Sequence, residues 1–232
     1  MNKAKILLAE DDLSLGFVIK DNLQDAGYEV THCPDGEIAW QQFQKKDFDI
    51  CLLDINMPLR DGFSLAKKIR QQSDVIPVIF ITAKSLQEDK LKGFQTGADD
   101  YITKPFSIQE LLMRIDVFLR RTKKLHADTK EEYKIGKLKF CYNELKLYNG
   151  TEVISLTQRE SDLLRFFAQH CDKILKREEV LLNVWGKDDY FLGRSMDVFI
   201  TKLRKHLTIL LRVLISYHNV VQKSVKGQIR VE

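Results

Sequence analysis

No run of apolar residues in this 232-residue chain approaches the roughly 20 needed to cross a bilayer. The longest, Leu207 to Ile215, is interrupted by Arg212, so nothing here is expected to enter a membrane. The start, Met1 to Leu8, gives way to the acids Glu10 to Asp12 and lacks the apolar centre of a secretory signal. Cysteine is sparse. Cys33, Cys51, Cys141 and Cys171 form no Cys-x-x-Cys pair, and no histidine stands at metal-ligand spacing. They read as reduced, mostly buried thiols of a cytoplasmic protein rather than as a disulfide framework or a zinc site. Internal repeats and low-complexity segments are absent too. With 44% hydrophobic and 30% charged residues, the chain is expected to be globular, with room for one large or two ordinary domains.

The net charge of +4 conceals a division. Residues 1–122 carry 16 Lys and Arg against 19 Asp and Glu, net −3; the remainder carries 21 against 14, net +7. A polyanionic partner is therefore expected for the second half only.

In the first half, apolar runs alternate with segments of helical period. Ile6 to Ala9, Glu29 to Cys33, Ile50 to Leu53, Val75 to Ile81 and Tyr101 to Ile102 are the predicted strands. Leu13 to Ala26, Gly36 to Gln44, Phe63 to Gln71, Gln87 to Thr96 and Ile108 to Arg120 are the predicted helices. Five strands alternating with five helices predict a doubly wound α/β fold with a five-stranded parallel sheet covered on both faces. Function in such sheets gathers at the carboxyl ends of the strands.

Lys123 to Glu132 is charged and reads as a linker between domains 1–122 and 133–232. Beyond it, Ile135 to Ile154 alternates apolar and polar residues, with turns at Tyr142-Asn143 and Asn149-Gly150, and predicts a small antiparallel sheet. Thr157 and Glu160 make a capping box for one helix; a second is predicted over Arg177 to Val184 and a third from Ser195 to at least Leu207.

The polar residues at the strand ends carry chemistry. Glu10 and Asp11 follow the first strand and Asp54 the third. Carboxylates so clustered repel one another unless a hard cation binds them, and oxygen ligands of this kind suit Mg²⁺. Thr82 closes the fourth strand and Lys104 follows the fifth, just before Pro105. A hydroxyl and an ammonium beside a metal and a carboxylate make a phosphoryl site, with Asp54 as the attacking group. Any one of these residues alone reads equally well as a solvated loop group, but five at consecutive strand ends form a pattern.

Residues 3–121 resemble the receiver domain of two-component response regulators. The strings that carry the resemblance are Leu8-Ala9-Glu10-Asp11-Asp12, Leu53-Asp54-Ile55-Asn56-Met57-Pro58, Asp61-Gly62, Ile81-Thr82-Ala83 and Gly97-Ala98-Asp99-Asp100-Tyr101-Ile102-Thr103-Lys104-Pro105-Phe106. The resemblance implies a flavodoxin-like receiver with Asp54 as phosphoacceptor. It also implies Asp11 as a direct Mg²⁺ ligand, Glu10 acting through water, the Asn56 carbonyl completing the set, and Lys104 contacting the phosphoryl group before a cis Pro105. Asp12 reads as a solvated residue. The family's switch then falls on Thr82 and Tyr101: the added charge on Asp54 draws the hydroxyl inward and the ring fills the space it leaves.

The resemblance further implies homodimerisation on phosphorylation, through a face made by helix 87–96, strand 101–102 and helix 108–120. Its expected charge pairs are Lys90 with Glu110, Asp100 with Arg114 and Asp99 with Arg121. Individually such pairs contribute about 0 to 1 kcal/mol, so their expected effect is on partner and register.

In the third helix of the second half, Met196, Phe199, Ile200, Leu203 and Leu207 share one face, while Arg194, Thr201, Lys202 and Lys205 point the other way. An apolar back with a basic front suits a helix in a DNA major groove. Residues 133–208 resemble the α+β winged helix-turn-helix domain of OmpR/PhoB-type regulators. The strings are Ile154-Ser155-Leu156-Thr157-Gln158-Arg159-Glu160, Ile174 to Leu182, Val184-Trp185-Gly186 and Arg194 to Lys205. The resemblance implies DNA contacts by Arg194, Thr201, Lys202 and Arg204. It leaves Phe199 at a position that is often polar, and it makes Lys187 to Gly193 the loop offered to RNA polymerase. Trp185 reads as core. Past Leu207 the pattern departs from the family: the helical spacing continues toward Ile215, and the wing, Val220 to Val231, lacks its second glycine and aromatic. Ser224, Lys226 and Arg230 are its candidate phosphate contacts.

The sequence is thus read as a DNA-binding response regulator, not an enzyme acting on outside substrates, with a sensor histidine kinase, promoter DNA and RNA polymerase as partners. A phosphatase of the acid-anhydride type needs a second acid where Asn56 stands. The remaining alternative is an architectural DNA-binding protein with a phosphorylation-independent receiver.

Overall fold

The computed structural model describes residues 3–83, 96–125, 131–171, 173, 175–185 and 190–212, with side chains left out for 120–125, 190–195 and 208–212. The chain divides into two compact units, Met1–His126 and Ala127–Glu232.

The first unit runs β1 (Lys5–Ala9), α1 (Leu13–Asp25), β2 (Glu29–Cys33), α2 (Gly36–Lys45), β3 (Ile50–Leu53), α3 (Gly62–Gln72), β4 (Val78–Thr82), β5 (Asp100–Thr103) and α4 (Ile108–Leu125). The five strands form one parallel sheet in the order β2-β1-β3-β4-β5. That is the flavodoxin-like order, whose switch point lies between β1 and β3. Strands buried on both faces read as unbroken apolar runs, and β3 and β4 are buried throughout. On one face, Ile6, Leu8, Ile50, Leu52, Ile79 and Ile81 pack with Ile19 and Leu23 of α1 and with Leu111, Ile115 and Phe118 of α4. The other face packs Phe63 of α3 against Phe80, ring to ring at 5.2 Å.

Three aspartates start the helices. Asp12, Asp35 and Asp61 accept hydrogen bonds from the first free N–H groups of α1, α2 and α3. Asp12, expected as a merely solvated residue, is therefore an N-cap; its place just before Leu13 was the available signal.

In the first unit, two boundaries differ from the sequence reading by three residues or more. β4 begins at Val78 rather than Val75, because Pro77 has no N–H for the ladder and the Ile76 carbonyl is taken by Arg70 at 2.5 Å. α4 continues to Leu125, so Lys123 to Leu125 are helical rather than linker. The predicted helix Gln87 to Thr96 lies almost wholly outside the described residues.

The second unit opens with β6 (Glu132–Ile135), β7 (Leu138–Cys141), a 3₁₀ turn at Tyr142–Glu144, β8 (Lys146–Asn149) and β9 (Glu152–Ser155), an antiparallel sheet in sequential order. α5 (Gln158–Gln169), α6 (Arg177–Trp185) and α7 (Tyr190–Arg212) follow. The capping box is present: Thr157 Oγ1 accepts from the Glu160 N–H and Glu160 Oε2 from the Thr157 N–H. α7 starts at Tyr190, so Tyr190 to Gly193, read from sequence as loop, are helical. The helix also passes Leu207, as its leucine spacing predicted, and reaches Arg212. The predicted wing lies outside the described residues.

Candidate functional site

The carboxyl edge of the parallel sheet gathers the predicted acids. β1 hands over to Glu10, 1% exposed, and to the exposed Asp11; β3 hands over to Asp54, 5% exposed. The Asp54 N–H donates to the Ala9 carbonyl at 2.8 Å, extending the β1–β3 ladder by one residue and setting Asp54 beside Glu10. Carboxylate oxygens of Glu10, Asp11 and Asp54 lie within 4.8 Å of one another. The Asn56 N–H donates to Asp54 Oδ1 at 3.0 Å. Gly62 backs the site: a Cβ there would stand 2.1 Å from the Asp54 carbonyl oxygen, so only glycine lets α3 start this close to the end of β3.

Lys104 reaches the same place from the end of β5. Its Nζ donates to Asp54 Oδ2 at 2.6 Å and to Glu10 Oε1 at 2.7 Å, and the Lys104–Pro105 peptide is cis. Thr82, fully buried at the end of β4, accepts the Lys104 N–H on its carbonyl at 2.9 Å. Burial, with a contribution from Asp54, holds the Glu10 carboxyl above its ordinary range although Lys104 pulls it down. Burial also pulls the Lys104 ammonium down, but its hydrogen bonds to Asp54 and Glu10 outweigh that and leave it raised. Glu10 Oε2 is buried without a hydrogen-bond partner. Three convergent carboxylates, one of them exposed and one with an unsatisfied buried oxygen, are the hard donor set that a small divalent cation fits.

In the second unit, Met196, Phe199 and Leu203 of α7 are buried, with Phe199 packed on Trp185 at 5.9 Å. Phe199 is thus core and not a base reader, and Trp185 packs as expected. Arg204 and Lys205 are exposed. Thr201 is exposed, but its hydroxyl donates to the Asp197 carbonyl of its own helix at 2.7 Å. Lys202 departs from the helical-wheel expectation of a fully outward side chain. It is 24% exposed, with its Nζ 4.0 Å from Glu160 Oε1 and 5.8 Å from the Phe199 ring centre. Arg194 lies in α7 with its side chain undescribed, and Lys226 lies outside the described residues.

Residues 6–116 match the family model described as "Response regulator receiver domain" and residues 150–220 that described as "Transcriptional regulatory protein, C terminal". The chain is 47% identical over 205 residues to the transcriptional regulatory protein RprY of Bacteroides fragilis, covering 88% of this chain and 87% of that one. The chain belongs to the OmpR/PhoB-type response regulators. It is also 35% identical over 211 residues to the alkaline phosphatase synthesis transcriptional regulatory protein PhoP of Bacillus subtilis, covering 88% of each. The solved structure of a RitR mutant matches with a TM-score of 0.68 at 26% identity, over 87% of this chain and 89% of that one. The response regulator accordingly combines a flavodoxin-like receiver with a C-terminal winged-helix domain, and it is a DNA-binding member of a two-component system. No helix among the described residues is long and apolar enough to cross a membrane.

On the regulator's β5–α4 side, the expected charge pairs fall out differently. Arg114 Nη1 donates to Asp100 Oδ2 at 2.7 Å and its Nη2 to Glu110 Oε1 at 2.8 Å, both within the chain. Glu110 thus has a cation from its own helix, while Lys90 and the Arg121 side chain are outside the description. Asp99 departs from the expected surface position: it is 0% exposed, with Oδ2 taking Arg70 Nη2 at 2.6 Å and the Val78 N–H at 2.9 Å. Tyr101 is buried against Phe80 at 6.1 Å.

Sequence reasoning missed Arg70. Its guanidinium also donates to the Gly97 carbonyl at 2.7 Å and to that of Ile76, tying the entries of β4 and β5 to α3. A lone arginine 29 residues from its acid gives no periodic signal.

Proposed function

We propose that Asp54 is the phosphoacceptor of this response regulator and that a sensor histidine kinase supplies the phosphoryl group in a Mg²⁺-dependent reaction. The observation that carries the reading is the Lys104 ammonium, hydrogen-bonded to both Asp54 and Glu10 inside the three-carboxylate cluster. Glu10, Asp11, Asp54 and the Asn56 carbonyl would hold the metal; bound there, it supplies positive charge for the phosphoryl oxygens. An Asp54 oxygen attacks phosphorus, the new O–P bond forming as the bond to the donor's leaving group breaks. Asn56 N–H orients the carboxylate, and Lys104 exchanges a carboxylate contact for a phosphoryl oxygen.

The Thr82 hydroxyl then turns to the phosphoryl group, and Tyr101 couples that movement to the face of helix 87–96, β5 and α4. There the chain dimerises, with Lys90, Asp99, Asp100, Glu110, Arg114 and Arg121 as the sequence's candidates, now without Asp99 as a surface group. Dimerisation raises DNA affinity through two copies of α7, whose exposed Arg204 and Lys205, with Arg194, Thr201 and Lys202, face promoter phosphates and bases; Lys226 and the loop before α7 serve DNA and RNA polymerase. The chain's turnover is confined to its own acyl phosphate, and its place of work is the cytoplasm.

The test is labelling by acetyl phosphate in Mg²⁺. The chain takes up one phosphoryl group per molecule, Asp54→Asn takes up none, and phosphorylated chain footprints DNA at lower concentration than unphosphorylated chain. Undiminished labelling of Asp54→Asn overturns the assignment.

A further inference from the structure

Both backbone polar groups of Glu10 are fastened to β2. Its N–H donates to the Cys33 carbonyl at 3.1 Å, and its carbonyl oxygen lies 2.9 Å from His32 Nε2. A carbonyl can only accept, so the His32 tautomer carries its proton on Nε2 and donates it. That carbonyl belongs to the peptide joining Glu10 to Asp11, two of the three acids of the pocket. The hydrogen bond restrains ψ of Glu10 and φ of Asp11, the torsions that set the directions in which the two side chains leave the backbone relative to one another.

The ring reaches Glu10 only because α1 makes room. Gly16 is buried in the first turns of α1, and a Cβ there would stand 2.3 Å from His32 Nε2 and 2.4 Å from Cε1. These are ring atoms of a half-buried side chain on a strand, so alanine at 16 would push the imidazole off the Glu10 carbonyl. His32 pairs with Leu8 in the β1–β2 register, one step before the ladder ends, which aims its side chain at the β1–α1 turn.

We propose that His32 is a positioning residue for the cation pocket. Its Nε2–H holds the Glu10–Asp11 peptide in the orientation that presents both carboxylates, and Gly16 is the glycine that admits the ring. The inference rests on the reading that this pocket binds Mg²⁺. His32 touches no metal and no phosphoryl group; it acts through the backbone between two ligands.

The experiment titrates MgCl₂ into the full chain by calorimetry, with melting curves in EDTA run alongside. His32→Phe keeps a ring against Gly16 without the donor, and it weakens Mg²⁺ binding about tenfold, the low end for outer partners of metal ligands. His32→Gln replaces the ring but keeps an N–H at similar reach, and it restores binding to near that of the parent. A merely space-filling role predicts the reverse order. Gly16→Ala weakens binding as His32→Phe does, yet adds nothing in a His32→Ala background, where no ring remains to displace. Should His32→Phe fail to fold, His32→Met, which fills a volume like that of glutamine without an N–H, against His32→Gln decides by the same comparison. Parent-like Mg²⁺ affinity in His32→Phe, or no recovery in His32→Gln, overturns the proposal while the pocket reading stands. A parent chain that takes up no Mg²⁺ overturns the pocket reading itself.

Discussion

Lys104 Nζ lies 2.6 Å from Asp54 Oδ2, joining the end of β5 to the end of β3 across 50 residues of sequence. The carboxylate expected to become phosphorylated is thus already engaged by a cation from the strand at the far edge of the sheet. Lys104→Ala leaves Asp54 and Glu10 facing one another unscreened. Phosphoryl uptake from acetyl phosphate is expected to slow on the order of a hundredfold, the scale for removal of one preorganised charge donor. The chain that is labelled should no longer dimerise. Rapid-quench labelling and analytical ultracentrifugation measure the two effects; an unchanged rate together with normal dimerisation removes Lys104 from the site.

Binding to the folded pocket alone must raise stability. At a Mg²⁺ concentration about 100-fold above the dissociation constant the linkage is about 2.7 kcal/mol, and the melting temperature rises accordingly. Asp11→Asn removes an exposed carboxylate from the cluster without disturbing packing, so it should melt like the parent in EDTA and gain nothing from MgCl₂. A Mg²⁺-dependent rise that persists in Asp11→Asn would show that the ion binds elsewhere.

Arg70 and Asp99 form a pair with almost no solvent contact, and each also bonds backbone groups that lead into β4 and β5. Asp99→Ala strands the guanidinium charge in a buried site, and the expected loss of stability is about 3 to 5 kcal/mol. Urea unfolding monitored by circular dichroism reads this as a lower midpoint for the receiver transition. A loss below about 1 kcal/mol, the range of exposed pairs, would mean that water reaches the pair after all.

The thiols should separate by burial. Burial pushes the Cys51 thiol up to about 12, and burial followed by the nearby Asp35 charge pushes Cys33 up to about 11. Since the thiolate is the reactive form, both stay protonated at pH 8, and a raised value means still less thiolate at any lower pH. Iodoacetamide on the native chain at pH 8 should label the exposed Cys171 first and reach Cys33 and Cys51 only after denaturant is added. Early modification of Cys51, located by peptide mass mapping, contradicts the packing of β3.

For the DNA half, Arg204→Ala and Lys205→Ala are each expected to weaken binding at every sequence tested and to reduce the log–log salt slope by about 1. Lys202→Ala should do less, because its ammonium is partly turned toward Glu160. Fluorescence anisotropy across a salt series gives the slopes; a larger effect for Lys202 than for Lys205 would indicate that Lys202 swings outward on DNA.

Much of the receiver was legible because parallel strands buried on both faces are short apolar runs, and the residues that end each run must lie at the sheet's functional edge. Glu10, Asp54, Thr82 and Lys104 were found in that way, and the structure brings Glu10, Asp54 and Lys104 into hydrogen-bond contact. The capping box at Thr157 was equally visible, since its two bonds join residues three apart. Asp99 was not: it stands directly before β5, whose first residue is Asp100, yet the two neighbouring acids bond different arginines, Arg70 and Arg114. Alternation along a strand sends adjacent side chains to opposite faces, and only the packed helices determine which cation waits on each.

The order of residues along the chain was sufficient for the α/β alternation, the acidic strand ends, the split of charge between halves and the amphipathic face of α7. All of these arise from local period and composition, which act within a few residues. Tertiary packing decided the partner of each charge: Arg70 for Asp99, Glu160 as neighbour to Lys202, and His32 across Gly16 for the Glu10 carbonyl. Those choices depend on ångström-scale distances between elements far apart in sequence, where one missing Cβ or one extra turn of helix changes which groups meet.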